Sequence, residues 1–256
     1  MRVTMLKFIL FPLLLCSCSY ANDFDQQHAN WNQFLSENIT STNKPVSTNL
    51  VDYSQDLDSY LKQLSSVSKE QFKAFSKTEK LAFFINTYNA FTIKLIQNNK
   101  NKLGSKKSIK NISTESPWDI EFINILGQTY SLNHIEHEII RKEFNEPRIH
   151  FALVCAAISC PKLQNFAFTA DKLEKQLEQS KKEFLKNKSK NYYKSKTLHI
   201  SKVFEWFADD FTKNKQSIKK YVARDIASSD AEYQEIISDR TKVKYVDYDW
   251  TLNSTN

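Results

Sequence analysis

The chain has 256 residues, of which 41% are hydrophobic and 13% aromatic, and its formal net charge is +7. This hydrophobic content supports a packed core and excludes an intrinsically disordered chain. The two glycines, Gly104 and Gly127, are too few for the glycine-rich phosphate loops of nucleotide-binding enzymes. The lysines between Lys100 and Lys110 have no aromatic residues among them, so we interpret them as a solvated surface and predict no nucleic-acid partner.

Residues 1–21 have the pattern of a signal peptide, with Arg2 and Lys7 before a short apolar stretch. We therefore predict an exported protein, periplasmic or secreted. Two cleavage patterns overlap: Ala21 ends a small-residue pattern for a general signal peptidase, whereas Cys18 ends a lipobox-like pattern. Cleavage before Cys18 gives a membrane-anchored lipoprotein, and lipidation there is the one route by which we predict membrane association.

The spacing of hydrophobic residues predicts mainly helices. They extend over residues 23–39, 54–66, 76–98, 133–144, 170–187, 202–211, 215–227 and 230–238. A serine followed three residues later by Gln or Glu predicts capping boxes at Ser68 and Ser76, and Asn133 with Glu136 has the same spacing. The first helix and a polar link through Pro45 make up residues 22–50.

Apolar runs between turn signals predict a smaller number of strands. Strands are predicted over residues 149–155, 197–200 and 243–248, together with a hairpin over 122–132. The first of these runs is continuously apolar, which is typical of a strand buried on both faces. We predict an α+β fold: a mostly helical single domain over residues 51–256 with a small buried sheet.

The segment from Arg148 to Pro161, RIHFALVCAAISCP, carries the strongest chemical signal. Three interpretations fit it. In the first, one of the two cysteines is a thiolate nucleophile activated by an imidazole. In the second, Cys155 and Cys160 form a disulfide that closes a small loop. In the third, the cysteines and histidines hold a metal ion. In a regular strand His150 and Cys155 point to opposite faces, so a base for Cys155 has to come from another element.

The preceding helix, NHIEHEIIRKEF, offers that base. Glu136 falls within its apolar arc, and His137 and Arg141 share the adjoining face. A buried carboxylate beside a histidine is an arrangement that orients an imidazole for base catalysis. The alternative is a structural network that ties the helix to the sheet through Arg141 or Arg148.

Two asparagines interrupt the apolar face of the helix over residues 76–98. Asn89 falls inside the apolar arc and Asn86 lies at its edge. A buried amide is costly unless its hydrogen bonds are satisfied. Asn89 therefore either lines a site and donates toward an oxyanion, or it bridges backbone groups of neighbouring elements.

Six motifs occur together: LAFFINTYNAFTI, SPWDIEF, SLNHIEHEIIR, PRIHFALVCAAISCP, KVFEWFADDF and YDWTLN. In this order they resemble the domain-of-unknown-function 547 family, from Lys77 to Asn253. The family pattern, as the resemblance implies it, includes Asn86, Tyr88, Asn89, Glu136, His137, His150, Cys155, Cys160 and Pro161. Many members carry Asn where this chain has Val154.

The resemblance implies a site whose polar residues converge on cysteine and histidine. We predict a cysteine-dependent hydrolase or acyltransferase in which Cys155 or Cys160 is the nucleophile, His137 is the base and Glu136 orients it. The residues predicted to contribute to binding are Asn86, Asn89, Arg148 and His150. The alternative is a non-enzymatic envelope binding or structural module with a Cys155–Cys160 disulfide.

A closed metal site of His137, His150, Cys155 and Cys160 is a third interpretation, and it would be structural. Our prediction is nevertheless that the protein uses no cofactor and no metal. The predicted partner is an unknown small molecule or a component of the envelope.

Overall fold

Helices dominate the described chain, and its strands are short. The computed structural model describes residues 23–42, 48–105, 107–214 and 216–255. The α-helices are α1 (Ala29–Asn38), α2 (Asp58–Ser66), α3 (Lys69–Ala74), α4 (Lys77–Asn98), α5 (Arg141–Glu143), α6 (Leu173–Lys186), α7 (Val203–Trp206), α8 (Ala208–Thr212), α9 (Ile218–Ile226) and α10 (Asp230–Ile237). A π-helix spans His134–Ile140, and 3-10 turns span Lys100–Lys102, Ile109–Asn111, Pro117–Asp119 and Pro147–Phe151. The strands are β1 (Ile39–Thr42), β2 (Thr48–Val51), β3 (Ile123–Ile125), β4 (Gln128–Tyr130), β5 (Tyr192–Lys194), β6 (Thr197–Ile200) and β7 (Lys242–Tyr245).

The predicted α+β class is confirmed, but in the described residues the strands form three small sheets. β1 pairs with β2 and β3 with β4, both antiparallel, while β6 lies between β5 and β7 and is parallel to β7. The β1–β2 hairpin falls in the segment that was predicted to link the first helix to the domain. Its Thr48 and Asn49 are buried, so this hairpin is part of the packed fold.

α4 is the central element of the fold because it is buried on nearly all sides from Leu81 to Ile96. A helix buried in this way needs hydrophobic residues around most of its circumference. It begins at a capping box: Ser76 Oγ accepts from the Glu79 N–H, and the Glu79 carboxylate accepts from the Ser76 N–H. The same box is present at Ser68, so both predicted helix starts are confirmed.

Two hydrophobic clusters pack side by side. The larger one surrounds α4 and includes the stacked rings of Trp31 and Tyr60, 5.5 Å apart. The smaller one gathers around Phe151 and Phe204, between α6, β6 and α9. Tyr248 packs against both clusters, so it marks the boundary between them.

Residues 149–155 do not form a strand, and that prediction was wrong. Pro147–Phe151 form a 3-10 turn instead. Pro147 presets a helical φ at the first position of the turn, and the Glu146 side chain accepts a hydrogen bond from the Arg148 N–H. Helical geometry therefore begins before the apolar run, and periodicity alone cannot separate such a buried segment from a strand.

The side chain of Asn89 then satisfies the backbone that follows this turn. Its Nδ2 donates to the Ala152 carbonyl at 2.9 Å, and its Oδ1 accepts from the Val154 N–H at 3.0 Å. Buried backbone groups need partners. Because one amide side chain supplies both, the segment is buried without belonging to a sheet.

No helix in the described part of the chain is long and apolar enough to cross a membrane. The predicted signal peptide, with Arg2, Lys7, Cys18 and Ala21, lies outside the described residues, and so does Pro45.

Candidate active site

A pocket of about 170 Å³ opens at the boundary between the two hydrophobic clusters. Glu136, His137, His150, Cys155 and Cys160 all line it. The four residues predicted to be catalytic therefore meet in one pocket, together with one of the four predicted binding residues. The aromatic part of the wall consists of Tyr88, Trp118, Trp206, Phe207, Tyr248 and Trp250.

The turn between the two cysteines is held from outside. Ala156 has a φ of 57°, in the left-handed region that non-glycine residues rarely adopt. Residues 249–252 run alongside this turn. The Ser159 N–H donates to the Asp249 carbonyl at 3.2 Å, and Ser159 Oγ accepts from the Asp249 N–H at 2.9 Å. Contacts from a distant segment thus maintain the strained turn.

The two sulfur atoms are in contact. Cys155 Sγ lies 2.6 Å from Cys160 Sγ, and both residues are free thiols. Cys160 Sγ accepts hydrogen bonds from the Cys155 S–H and from the Cys155 backbone N–H, the latter at 2.7 Å. The Tyr248 hydroxyl lies 3.1 Å from Cys155 Sγ. Two donors at one sulfur form an environment that stabilises a thiolate.

A buried lysine, Lys190, lies next to the pair. Its Nζ donates to the Cys160 carbonyl at 2.5 Å, and burial lowers the pKa of Lys190 to about 8 against the opposing effect of the two sulfurs. Burial disfavours the Cys160 thiolate, but the hydrogen bonds from Cys155 and the charge of Lys190 outweigh it, so the pKa of Cys160 is lowered.

Cys155 shifts in the opposite direction. Burial, followed by the hydrogen bond to Cys160 and the charge on its sulfur, raises the pKa of Cys155 well above its usual value. Ionisation of either sulfur opposes ionisation of the other because the two are in contact. The negative charge of the pair therefore falls on Cys160, and Cys155 keeps its proton.

Glu136 and His137 lie on the π-helix, not on the regular α-helix predicted for residues 133–144. The Arg141 N–H donates to the Glu136 carbonyl, five residues back, as in π-helical hydrogen bonding. Adjacent residues of an α-helix do not share a face, yet both of these side chains reach the pocket. The predicted Asn133–Glu136 cap is absent, since Asn133 donates to Asp119 instead.

Glu136 is a buried carboxyl group in the pocket wall. Burial raises the pKa of Glu136 to about 7, against a hydrogen bond from the Tyr88 hydroxyl and the charge of Arg141. Burial also raises the pKa of Tyr88 well above its usual value, so Tyr88 stays protonated and its O–H is the donor in that hydrogen bond. A carboxyl group that titrates near neutrality can both give and take a proton during catalysis.

His137 is held by Arg141 and not by Glu136. Arg141 Nη1 lies 2.9 Å from His137 Nδ1. A guanidinium has donors only, so Nδ1 accepts and the ring carries its proton on Nε2. Burial, and then the charge of Arg141, lowers the pKa of His137. The imidazole is therefore neutral and presents an N–H group, which is the form that donates to a developing oxyanion.

His150 is fixed by a carboxylate that the sequence did not reveal. Its Nε2 lies 2.7 Å from Asp210 Oδ2, and its Nδ1 faces Glu136 at 3.9 Å. Burial lowers the pKa of His150 against the opposing effect of Asp210. Its ring stacks on Phe207 with centroids 3.9 Å apart. The bond to Asp210 and the stacking on Phe207 fix the orientation of the ring, so its Nδ1 stays directed toward Glu136.

Asp210 connects the two histidines. Besides His150, it binds Arg141 Nε at 2.6 Å and Lys213 Nζ at 2.8 Å. Burial acts against ionisation, but these three partners outweigh it and hold the pKa of Asp210 well below its usual range. Asp210 is thus a permanent carboxylate that orients His150 directly and His137 through Arg141.

Three of the predicted binding residues do not line the pocket. Asn89 bonds to backbone as described above, and Asn86 does the same with both the carbonyl and the N–H of Phe168, at 2.7 and 3.0 Å. Arg148 makes ion pairs with Glu146 and Glu174. Their side chains hold neighbouring elements together.

Lys190, Asp210 and Tyr248 are site residues that the sequence analysis did not name. Asp210 and Tyr248 lie within two of the motifs that carry the family resemblance, KVFEWFADDF and YDWTLN, which was a usable signal. Lys190 stands in the lysine-rich stretch KNKSKN, where nothing in the sequence separates a buried lysine from exposed ones. Among the described residues, no group of three or more His, Cys, Asp or Glu side chains could hold a metal ion.

A family model described as "Protein of unknown function, DUF547" matches residues 72–185. This range contains Cys155, Cys160, Glu136, His137 and His150, while Lys190, Asp210 and Tyr248 lie beyond it. No curated protein and no solved structure matches the chain significantly.

Proposed function

Since the chain belongs to the DUF547 family, whose description states no activity, we propose its function from the site: a cysteine-dependent acyl transfer, to water in a hydrolase or to another acceptor in an acyltransferase. One observation carries the proposal. Cys160 Sγ accepts two hydrogen bonds beside the ammonium group of Lys190, in a pocket that also contains a carboxyl group with a pKa of about 7. A stabilised thiolate beside a proton donor is what acyl transfer to sulfur requires.

In the first half-reaction the Cys160 thiolate attacks the carbonyl carbon of an acyl donor, and a carbon–sulfur bond forms. The Nε2–H of His137 donates to the carbonyl oxygen as negative charge develops there. The protonated Glu136 gives its proton to the departing oxygen, nitrogen or sulfur atom, and the bond to that atom breaks. The products are a Cys160 thioester, a Glu136 carboxylate and the free leaving group.

In the second half-reaction the Glu136 carboxylate takes a proton from water or from an acceptor hydroxyl or amine. The acceptor attacks the thioester carbon, the carbon–sulfur bond breaks, and the Cys160 thiolate returns with the proton on Glu136. Cys155 remains protonated throughout and stabilises the thiolate by its S–H hydrogen bond. These roles differ from the sequence-based hypothesis, in which His137 is the base.

Exposure to p-nitrophenyl acetate tests this function directly. We expect release of nitrophenol and, in intact mass after acid quenching, one acetyl group located on Cys160 by peptide mapping. Cys160→Ala should carry no acetyl group, whereas Cys155→Ala should still be acetylated, more slowly, because Cys160 has lost a stabilising donor. Turnover of Cys160→Ala at the wild-type rate would show that the reaction does not use this sulfur.

The 2.6 Å distance between the two free sulfurs favours a second function, a non-enzymatic envelope module closed by a disulfide. Forming that bond removes two protons and two electrons, which pass to a disulfide-bearing oxidoreductase of an oxidising compartment. Iodoacetamide labelling of the natively purified protein distinguishes the two functions. Rapid label on Cys160 without reductant supports the enzyme, and label that appears only after reduction supports the module, whose partner would then be an envelope component.

Export, predicted from residues 1–21, is part of this proposal. The N-terminus of the mature protein, read by mass spectrometry, tests it. An N-terminal Asn22 indicates a periplasmic or secreted protein, a lipidated Cys18 indicates a membrane-anchored one, and an intact Met1 in the purified native protein contradicts export.

A further inference from the structure

Trp206 is unusually exposed for a large hydrophobic side chain. It is 44% exposed, and among the described residues Val243 is the other large hydrophobic side chain that is exposed, at 39%. The other apolar residues at the start of the same short helix, Val203 and Phe204, are buried. Leaving an indole ring in water forgoes hydrophobic stabilisation. Trp206, unlike Val243, lies at the wall of the pocket.

Trp206 is the outer member of a group of aromatic rings. Its centroid lies 4.8 Å from Tyr248 and 5.7 Å from Trp250, and Trp118 lies 5.8 Å from Trp250. These rings pack against one another, so they form a continuous wall and not an open cage for a cation. Tyr248 connects the wall to the thiol pair, since its hydroxyl lies 3.1 Å from Cys155 Sγ. A ligand bound on this wall therefore has the sulfurs at one end.

The charges around the wall decide which ligands it accepts. Asp247 and Asp249 are exposed on either side of Tyr248 in the chain and disfavour an anionic group at this place. The charge of Glu205, next to Trp206, is paired with Lys202 at 3.2 Å. One cation, Lys110, lies 5.1 Å from the Trp250 ring centroid and already occupies an aromatic face. The free surface of the wall is thus apolar, made of ring faces inclined to one another, and unfavourable for negative charge.

We propose that this wall binds the acyl group of the substrate and selects acyl donors whose acyl group carries an uncharged aromatic or flat apolar ring. The inference rests on the proposed acyl transfer, because it places the carbonyl carbon of the bound group beside Cys160. Ring-on-ring packing gives geometric selectivity beyond buried area alone. Small acyl groups leave Trp206 uncovered, and acyl groups that end in a carboxylate meet the acidic side chains.

Binding to a chemically inert variant tests the inference without relying on turnover. The full-length Cys160→Ala protein is titrated with the benzoyl, acetyl and succinyl thioesters of N-acetylcysteamine, which share one leaving thiol, and calorimetry measures the dissociation constants. We expect the benzoyl compound to bind most tightly. Adding Trp206→Ala should weaken benzoyl binding by about tenfold, and Trp206→Phe should restore most of it. Val243→Ala is the matched control, because Val243 is the other exposed large hydrophobic side chain and does not line the pocket.

The outcomes separate this inference from the proposed function. Equal binding of the three thioesters, or benzoyl binding that Trp206→Ala leaves unchanged, overturns the substrate class. If the wild type acetylates Cys160 while the variants show no ring preference, the acyl transfer stands and this inference falls. If ring-dependent binding is present but wild-type Cys160 never becomes acylated, the wall is a binding site and the acyl transfer falls.

Discussion

Nη1 of Arg141 lies 2.9 Å from Nδ1 of His137, and this contact determines which nitrogen of the imidazole carries the proton. A guanidinium cannot accept a hydrogen bond, so the ring is a neutral acceptor at Nδ1 and a donor at Nε2. The sequence suggested a base at this position. The geometry makes His137 a hydrogen-bond donor, and the proposed mechanism therefore assigns the proton transfers to the neighbouring Glu136.

Two substitutions of His137 distinguish a donor from a base. His137→Gln keeps an N–H donor and should retain most of the acylation rate, whereas His137→Phe should lose about 10²- to 10³-fold, the usual cost of removing an oxyanion donor. The pre-steady-state burst of nitrophenol release measures both rates. An equally large loss of rate in the two variants would contradict the donor role, because neither Gln nor Phe can act as a base and only Gln keeps an N–H donor.

Glu136 should make the protein less stable as the pH rises. Its folded pKa of about 7 lies above the ordinary value of 4.5, so between these values the folded state binds a proton that the unfolded state has released. The stabilisation present below pH 4.5 is therefore lost as the pH rises through 7, by about 3 kcal/mol in all. Glu136→Gln should remove this pH dependence, and so be more stable than the wild type at pH 8, while acylation falls by about 10²-fold or more.

Urea unfolding at pH 4.5 and pH 8 measures the stability effect. Glu143→Gln is a suitable control, because Glu143 is exposed on the short helix that follows the π-helix. A Glu136→Gln protein with an unchanged difference in free energy of unfolding between the two pH values would show that Glu136 is not the group that titrates near 7.

Lys190 should set the reactivity of Cys160. Its positive charge lowers the pKa of that thiol, so Lys190→Met should move the midpoint of the pH–rate profile for Cys160 alkylation to higher pH. The rate of iodoacetamide labelling at pH 7 should fall several-fold as the thiolate fraction falls. Lys188→Met is the matched control, because Lys188 donates to the Ile226 carbonyl and not to the thiol pair. A midpoint that does not move would limit Lys190 to its hydrogen bond with the Cys160 carbonyl.

Asn89 should matter for stability more than for chemistry. Asn89→Ala leaves the Ala152 carbonyl and the Val154 N–H without their partner, which should lower the free energy of unfolding by about 2 kcal/mol. Asn99→Ala, at the residue that follows the same helix, removes a bond to the Leu95 carbonyl at a less buried position and should cost less. Chemical denaturation gives both values. A variant that is fully stable but no longer binds the benzoyl thioester would instead support the binding role predicted from the sequence.

The sequence predicted local features of the fold well. The capping boxes at Ser68 and Ser76 depend on residues three positions apart, and most helices follow from their own hydrophobic spacing. The convergence of Glu136, His137, Cys155 and Cys160 on one pocket was also predicted, with help from the family resemblance. These features are either local or carried by motifs in which several rare residue types occur together.

The missing parts of the site depend on contacts between distant segments. The apolar run over residues 149–155 has the composition of a strand. It is buried outside any sheet because the side-chain amide of Asn89, 63 residues before Ala152 and 65 before Val154, bonds to its backbone. In the sequence Lys190 looks like the exposed lysines before it, and only the folded structure places it against Cys160. The roles proposed for Glu136 as acid and His137 as donor depend on Arg141 and on the π-helical register, and hydrophobic periodicity reveals neither.

The bonds between Ser159 and Asp249, which hold the turn between the cysteines, also determine when during synthesis the site can form. Ser159 is held by Asp249, which follows it by 90 residues, and Tyr248 reaches the sulfurs from the same segment. Because a ribosome delivers the chain from its N-terminus, a nascent polypeptide displays the complete cysteine motif long before the residues that shape it have been made. The thiol pair thus gains its contact with Tyr248, and its turn gains the bonds to Asp249, only after residue 249 has been translated. A product that terminates before this point would carry the cysteine motif without these contacts.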